Sequence, residues 1–277
     1  MIDAHQHFWL LDRGDYAWPN PDVAPIFRDF APEDLRPLLA AAAVERTVLV
    51  QATDSLAETR FLLDIARRTD FVAGVVGWVD IAAPDARAAI DELRQDAALK
   101  GLRPMLQSIA EVGWILRPEV QPTLRHMART GLRLDALIQP RHQPVILELA
   151  QLHPDLPIVI DHIAKPRIGK GRAPDAAWRE GMAALAGCAN VCVKLSGMVT
   201  EAGADWSEAD LAPFAAHVLA AFGPARVMWG SDWPVVNLDA DYGRWIEAAQ
   251  ALTSGLSQAD RAQIFGGTAR RFYGIAP

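Results

Sequence analysis

Short apolar, β-branched runs alternate with longer stretches in which apolar residues recur at helical spacing, and the phrase repeats eight times. Ile2–His5 opens the chain as a strand. After a long turn-rich segment, Pro32–Ala43 is a predicted helix, with proline at its start and Glu33 and Asp34 in its first turn. The β-branched run Val44–Gln51 is the second strand, and Leu56–Arg68 follows with Phe61, Leu62, Ile65 and Ala66 at helical spacing. Further strands are predicted at Phe71–Val79, Leu99–Arg103, Leu132–Ile138, Ile158–His162, Val191–Leu195 and Val227–Gly230. Helices are expected at Asp85–Ala98, Pro118–Thr130, Pro144–Leu152, Asp175–Ala186, Glu208–Ala221, Tyr242–Thr253 and Gln258–Phe265.

Strands that alternate with helices pair in parallel through crossover connections. Near-continuous apolar strands suit a sheet covered on both faces. Eight such units in ~250 residues predict one α/β domain over 1–277, a single (β/α)8 TIM barrel. The competing open, doubly wound sheet lacks a Gly-x-Gly-x-x-Gly after the first strand, where a dinucleotide fold places it. The segment Phe8–Phe30 holds Trp9, Tyr16, Trp18 and several prolines. Its length and aromatic content read as an ordered lid over the mouth of the barrel.

Half of the residues are hydrophobic (51%), enough for a large core. The formal charge of −7, with no Lys/Arg cluster, argues against nucleic-acid or anionic-membrane partners and leaves a small molecule. Cys188 and Cys192 are the only cysteines and read as core residues of a reduced protein. No leader pattern and no apolar run approaching ~18 residues is present, so a cytoplasmic location is expected. Oligomeric state is not legible.

In a barrel of this kind the chemistry gathers at the carboxyl ends of the strands. His5 and His7 stand two apart on the first strand and project to one side. Alone, His-x-His also suits two surface histidines. It gains weight from His162 at the end of the sixth strand and from Asp232, which follows the eighth strand in Trp229-Gly230-Ser231-Asp232-Trp233-Pro234. Three imidazoles and a carboxylate at one mouth form a site for one divalent metal, Zn²⁺ or Mn²⁺. The same set also works without metal, with Asp232 as general base to a water and the histidines as donors. Arg103, ending the fourth strand, offers a planar fork to a carbonyl or carboxylate oxygen, although an ordinary salt bridge suits it equally.

Trp78 either walls a pocket or packs against a helix. Gln51, Gln107 and Gln139 are placed to bind substrate hydroxyls or to cap strand ends. Arg141, His142 and Lys165 lie on the following loops as further candidates. Ser196 lacks a Gly-x-Ser-x-Gly elbow and is not read as a nucleophile. His126, His153 and His217 fall in or at the ends of helices and are expected on the solvated surface.

Six segments occur in an order that resembles the amidohydrolase superfamily, in particular its sugar-lactonase branch. They are His5-Gln6-His7-Phe8-Trp9, Lys100-Gly101-Leu102-Arg103, Asp161-His162-Ile163-Ala164-Lys165-Pro166, Lys194-Leu195-Ser196-Gly197, Trp229-Gly230-Ser231-Asp232-Trp233-Pro234 and the ending from Ile264 to Tyr273. That branch includes L-fuconolactone and L-rhamnonolactone hydrolases and, more distantly, 2-pyrone-4,6-dicarboxylate lactonase. The resemblance implies a barrel that hydrolyses a small lactone, with His5, His7, His162 and Asp232 at the reaction centre. Asp232 would take the proton from the attacking water, and Arg103 or a metal would polarise the carbonyl. Binuclear members carry a bridging carboxylated lysine at the end of the fourth strand and a histidine after the fifth. Here those strands end in Arg103 and Gln139, which implies one metal or none. A lactonase for a carboxylated ring, with Arg103, Arg141 and Arg167 as its arginines, and a decarboxylase of the same superfamily are the alternative reactions. A non-catalytic barrel has no reason to keep all four central residues.

Overall fold

The computed structural model describes residues 1–276. Eight parallel strands follow one another around a single sheet in sequence order. They are β1 (Ile2–Gln6), β2 (Arg46–Val50), β3 (Val72–Gly77), β4 (Leu99–Leu102), β5 (Arg133–Ala136), β6 (Ile158–Ile160), β7 (Val191–Leu195) and β8 (Val227–Trp229). Helices α1 (Pro32–Ala41), α2 (Leu56–Arg68), α3 (Ala86–Leu93), α4 (Gln121–Thr130), α5 (Gln143–Leu152), α6 (Ala176–Ala186), α7 (Met198–Ala202), α8 (Glu208–Phe222), α9 (Tyr242–Leu252), α10 (Gln258–Ala262) and α11 (Thr268–Tyr273) connect or follow them. This is the predicted (β/α)8 barrel. Most strands are shorter than their apolar runs, because the last apolar residues of a run leave the ladder and bury themselves in the loop. Helices α7 and α11 lie on stretches with no helical prediction, and the final predicted helix, Gln258–Phe265, divides into α10 and the start of a π-type turn at Gln263–Gly267.

β1 and β8 close the barrel just beyond the end of β8. The Asp232 N–H donates to His5 O (2.8 Å), and the His7 N–H donates to Trp233 O (2.7 Å). Gly230 makes this approach possible, since a Cβ there would sit 2.7 Å from the Cβ of His5.

An outer apolar layer packs strands against helices. A smaller inner cluster of Ile2, Ala4, Val48, Val50, Val76, Val159 and Met228 fills the barrel, together with Phe272, Tyr273 and Ile275 of the C-terminal end. Between this apolar cluster and the strand ends lie buried charges. Lys194 Nζ reaches Asp135 Oδ2 (2.5 Å), Asp161 Oδ1 (3.0 Å) and His5 Nδ1 (3.0 Å), and the Tyr273 hydroxyl donates to Asp135 Oδ2 (2.6 Å). Charges so deep persist only when paired.

The segment 8–30 is folded onto the barrel. Trp9 pairs with Phe30 through backbone bonds in both directions, and both rings are buried. Glu58 of α2, fully buried, anchors it from below, accepting from Arg13 Nη1 (2.8 Å), Tyr16 OH (2.8 Å) and the Ala52 N–H (3.1 Å). Both cysteines are free and partly buried. His153 departs from the expected solvated surface. It is buried with Nε2 2.7 Å from Gln121 Oε1, because the chain after α5 turns inward to reach β6. No helix among the described residues is long and apolar enough to cross a membrane.

Candidate active site

Ile2 and Ala4 pack in the inner cluster, so strict alternation would send His5 outward. The register between β1 and β2 shifts between Asp3 and Gln6, and this irregularity brings His5 inward beside Lys194. Gln6, on the other face, bonds Thr47 Oγ1 (3.1 Å). Buried Asp3 fixes the seam by accepting from the backbone N–H of His5 (3.1 Å) and Ser231 (2.8 Å) and from Tyr242 OH (3.1 Å). Burial pushes its carboxyl up to about 6 in spite of these bonds from Ser231, His5 and Tyr242.

His162 is delivered by an unusual turn. From His162 to Lys165 four consecutive non-glycine residues have left-handed backbone, with φ of 51, 48, 63 and 48°. Each costs roughly 1–2 kcal/mol. Offsetting contacts come from the complete burial of Ile163 and Ala164 and from the Trp178 indole N–H, which donates to Ile163 O (2.9 Å). Gly197, after β7, leaves room for the His162 ring: a Cβ there would lie 2.6 Å from the imidazole. Asp232 is also left-handed (φ 58°). Such strain concentrates where side chains must be aimed at one point.

The point is the Oδ1 of Asp232. His7 Nε2 lies 3.3 Å from it, His5 Nε2 3.6 Å and His162 Nε2 3.8 Å, while the Nε2 atoms of His5 and His7 are 3.2 Å apart. His7 Nδ1–H donates to Val50 O (2.8 Å), which fixes the tautomer and leaves Nε2 bare. His162 Nδ1 bonds Ser196 Oγ (2.9 Å), and with the proton on that nitrogen its Nε2 is bare as well. His5 has two choices. Its Nδ1 lies 3.4 Å from Asp161 Oδ1, an acceptor, and 3.0 Å from the Lys194 ammonium, a donor. A cation bound at Nε2 selects the form that donates to Asp161.

Bare lone pairs facing a carboxylate at such distances repel unless a positive charge lies between them. Ligand atoms around a tetrahedral Zn²⁺, bonded at about 2.0–2.1 Å, are about 3.3–3.4 Å apart. The separations among His5, His7 and Asp232, 3.2–3.6 Å, match that spacing with slight expansion, while His162 stands beside them, 3.8 Å from the carboxylate, and groups within 4.8 Å with His5 and Asp161. The donor chemistry therefore fits one divalent metal held by His5, His7 and Asp232, with His162 beside it.

Electrostatics agree. Burial holds the His162 imidazole down to about 4, against the pull of Asp232 and Asp161. Burial and the nearby Lys194 ammonium push His5 well below its ordinary range. Both are thus neutral near pH 7, the state in which imidazole binds metal. Burial would raise Asp232, but positive charge on the surrounding imidazoles, His162 first, outweighs it and holds the carboxyl well below its usual value, the effect that a bound cation would also have.

Above this cluster opens a cavity of about 440 Å³, lined among others by His7, His162, Asp232, Arg103, Gln107 and Trp18. Buried Arg103 reaches His5 Nε2 (3.4 Å) and Asp161 Oδ2 (3.5 Å). Its Nη2 donates to both oxygens of Gln51, the side-chain one at 2.9 Å, and its Nε has no protein partner. Gln51 is wholly buried and acts on the cavity through Arg103. Trp78 lies outside the lining: β3 ends at Gly77, the Trp78 backbone is tied to Thr59 Oγ1, and the residue lines a neighbouring hollow with Trp114. Gln139 caps the turn Pro140–His142 and does not line the cavity. Arg141, exposed on the outer side, reaches the site only through Gln107 O (3.2 Å). Gln107 and Lys165 do line it.

Sequence reasoning named Asp161 and Lys194 only within shared segments, with no role, and passed over Asp135 and Glu201. The first three carry a signal, a charge inside or at the end of an apolar strand buried on both faces. Glu201 carries none.

Residues 2–275 match the family described as amidohydrolase. The chain is 46% identical to an L-fucono-1,5-lactonase of Burkholderia ambifaria, over 99% of this chain and 95% of that one. It is 35% identical to an L-fucono-1,5-lactonase of Burkholderia multivorans, over 99% and 96%. A crystal structure of an amidohydrolase from Burkholderia multivorans with bound Zn superposes with a TM-score of 0.93 at 34% identity, covering 99% of both chains. A match that spans nearly every strand and helix, with the four converging side chains inside it, establishes that the chain belongs to the amidohydrolase family.

Proposed function

We propose that the protein hydrolyses a small, neutral sugar-acid lactone, of the L-fucono-lactone kind, to its open hydroxy acid. The observation that carries this reading is a carboxylate oxygen ringed by three imidazole Nε2 atoms beside a cavity whose lining cations are already paired. Among the described residues of that lining, Arg103 faces Asp161 and Lys165 faces Glu201. Arg103 is the one guanidinium of that lining and is taken by Asp161 and by the ester carbonyl, which leaves none for the carboxylates of a pyrone-dicarboxylate substrate, so the neutral ring is favoured. The names of the relatives point the same way. We also infer a cytoplasmic role without nucleic-acid partners, in keeping with the net charge of −7.

In this reading the substrate carbonyl sits against Arg103, and a water sits against Asp232. The imidazole contacts all run through Oδ1, which leaves Oδ2 to take the proton from the water. The hydroxide adds to the carbonyl carbon, and the charge on the tetrahedral oxyanion is stabilised by the Arg103 guanidinium. As the intermediate collapses, the bond to the ring oxygen breaks and protonated Asp232 returns its proton to that alkoxide. A divalent metal bound by His5, His7 and Asp232, with His162 beside it, would supply Lewis-acid polarisation and a more acidic water.

The test is acid release from L-fucono- and L-rhamnono-lactones, followed with a pH indicator before and after chelation, with metal content recorded. Turnover that falls on chelation and returns with Zn²⁺ or Mn²⁺ is expected. Turnover of 2-pyrone-4,6-dicarboxylate with no turnover of either sugar lactone would replace the neutral-ring reading.

A further inference from the structure

The mechanism uses no part of the charged pair that Lys165 and Glu201 contribute to the cavity wall. Lys165 Nζ lies 2.9 Å from Glu201 Oε1, and the side chains are 26% and 22% exposed. The pair is neither a surface salt bridge nor a buried one: it is fixed in place yet wet on the cavity side.

Both members are built rigidly onto the reaction centre. Lys165 ends the left-handed turn that begins at His162, and its N–H donates to His162 O (2.8 Å). Glu201 stands in α7, whose preceding residue Gly197 lies against the His162 ring, and Glu201 O accepts from the Ile168 N–H (3.3 Å) of the same loop as Lys165. The charges are therefore tied to the backbone that carries His162. Thr200 adjoins them in the lining, with its hydroxyl donated to Gly197 O (2.9 Å).

A carboxylate accepts only and an ammonium donates only. Side by side they complement neighbouring hydroxyls, each of which must both donate and accept. The bonds are charge-assisted, hence strong and directional, while the pair adds no net charge that would draw an anionic ring. Trp18, also on the wall, offers an apolar surface to the hydroxyl-poor side of a sugar ring.

We propose that Lys165 and Glu201 form the hydroxyl-recognition subsite, a specificity-determining pair that binds vicinal hydroxyls of the substrate. The proposal rests on the lactonase reading and is separable from it. The experiment compares L-fucono-1,5-lactone with δ-valerolactone, which has the ring ester and no hydroxyls, in wild type, Glu201→Gln and Lys165→Met. On the hydroxylated lactone kcat/KM falls about 10- to 100-fold in each variant, chiefly through KM, with an unchanged melting temperature. On δ-valerolactone, followed as substrate or as competitive inhibitor, the loss is at least about tenfold smaller. The double variant loses little more than either single one, because the two groups act as a unit. Equal losses on both lactones, or none on the hydroxylated one, would overturn the subsite. A wild-type protein that hydrolyses neither lactone would instead remove the lactonase reading.

Discussion

The two halves of the barrel mouth treat their polar groups differently. At the β2–β4 side the strand-terminal groups, apart from Arg103 Nε, are satisfied by protein. Gln51 holds Arg103, Thr59 closes on the backbone of Trp78, and Glu58 accepts from the Ala52 N–H. At the seam of β1, β6 and β8 the side chains face one another: three Nε2 atoms lie 3.3–3.8 Å from one carboxylate oxygen, and among the described residues only His5 Nε2 has a protein donor, Arg103 Nη1. The first half is complete without a ligand and the second is not. Buried acceptors without donors are costly, so a seam built this way is stable only with a cation or proton supplied from outside. Scaffold and site are separated around the mouth by hydrogen-bond satisfaction more than by burial, which is nearly total in both.

The largest effect is expected at the seam. Asp232→Asn keeps the shape but removes the proton acceptor, and kcat should fall about 10³-fold or more, towards the upper range for general-base loss. Thermal stability of the metal-free protein should hold or rise near neutral pH, since the carboxylate no longer confronts the lone pairs of neutral imidazoles. A variant that turns over lactone at the wild-type rate would take Asp232 out of the base role. Arg103 belongs by sequence to the complete half and by reach to the seam. Arg103→Ala should cost about 10²–10³ in kcat, the range for one oxyanion donor. It should also destabilise the fold, because Asp161 and the oxygens of Gln51 lose their buried partner. A loss confined to stability, with kcat intact, would return Arg103 to the scaffold.

Much of this was legible in the sequence and some was not, for physical reasons. The eightfold alternation is a periodicity that packing enforces, so it gives the barrel, and the rule of strand ends gives His5, His7, His162 and Asp232. The same rule misplaces Trp78 and Gln139, because apolar runs continue past the ladder: β3 stops at Gly77 and β5 at Ala136. The shift in β1 that turns His5 inward has no local sequence mark. Neither does the left-handed turn at His162–Lys165, which contains no glycine. Lys194 and Asp135 were readable as charges in buried strands, but their partners lie on different strands and appear only when the barrel closes.

The smallest effect tests the complete half. Glu58 is fully buried beneath the segment 8–30, and its carboxyl is raised from the ordinary 4.5 by burial, against the bonds from Ala52 and Tyr16 and the charge of Arg13. A carboxyl raised on folding binds protons more tightly in the native chain than in the unfolded one. Its contribution to stability is thus most favourable below 4.5 and declines as pH rises through the raised value. Glu58→Gln removes that decline while retaining an acceptor for the Ala52 N–H. In denaturant titrations from acid to neutral pH, the stability of the variant relative to wild type should increase once pH passes 4.5. The opposite slope would mean that the Arg13 ion pair outweighs burial. The anchor of the aromatic segment would then be held by charge, and the β2–β4 half would owe its order to electrostatics instead of to saturated hydrogen bonding.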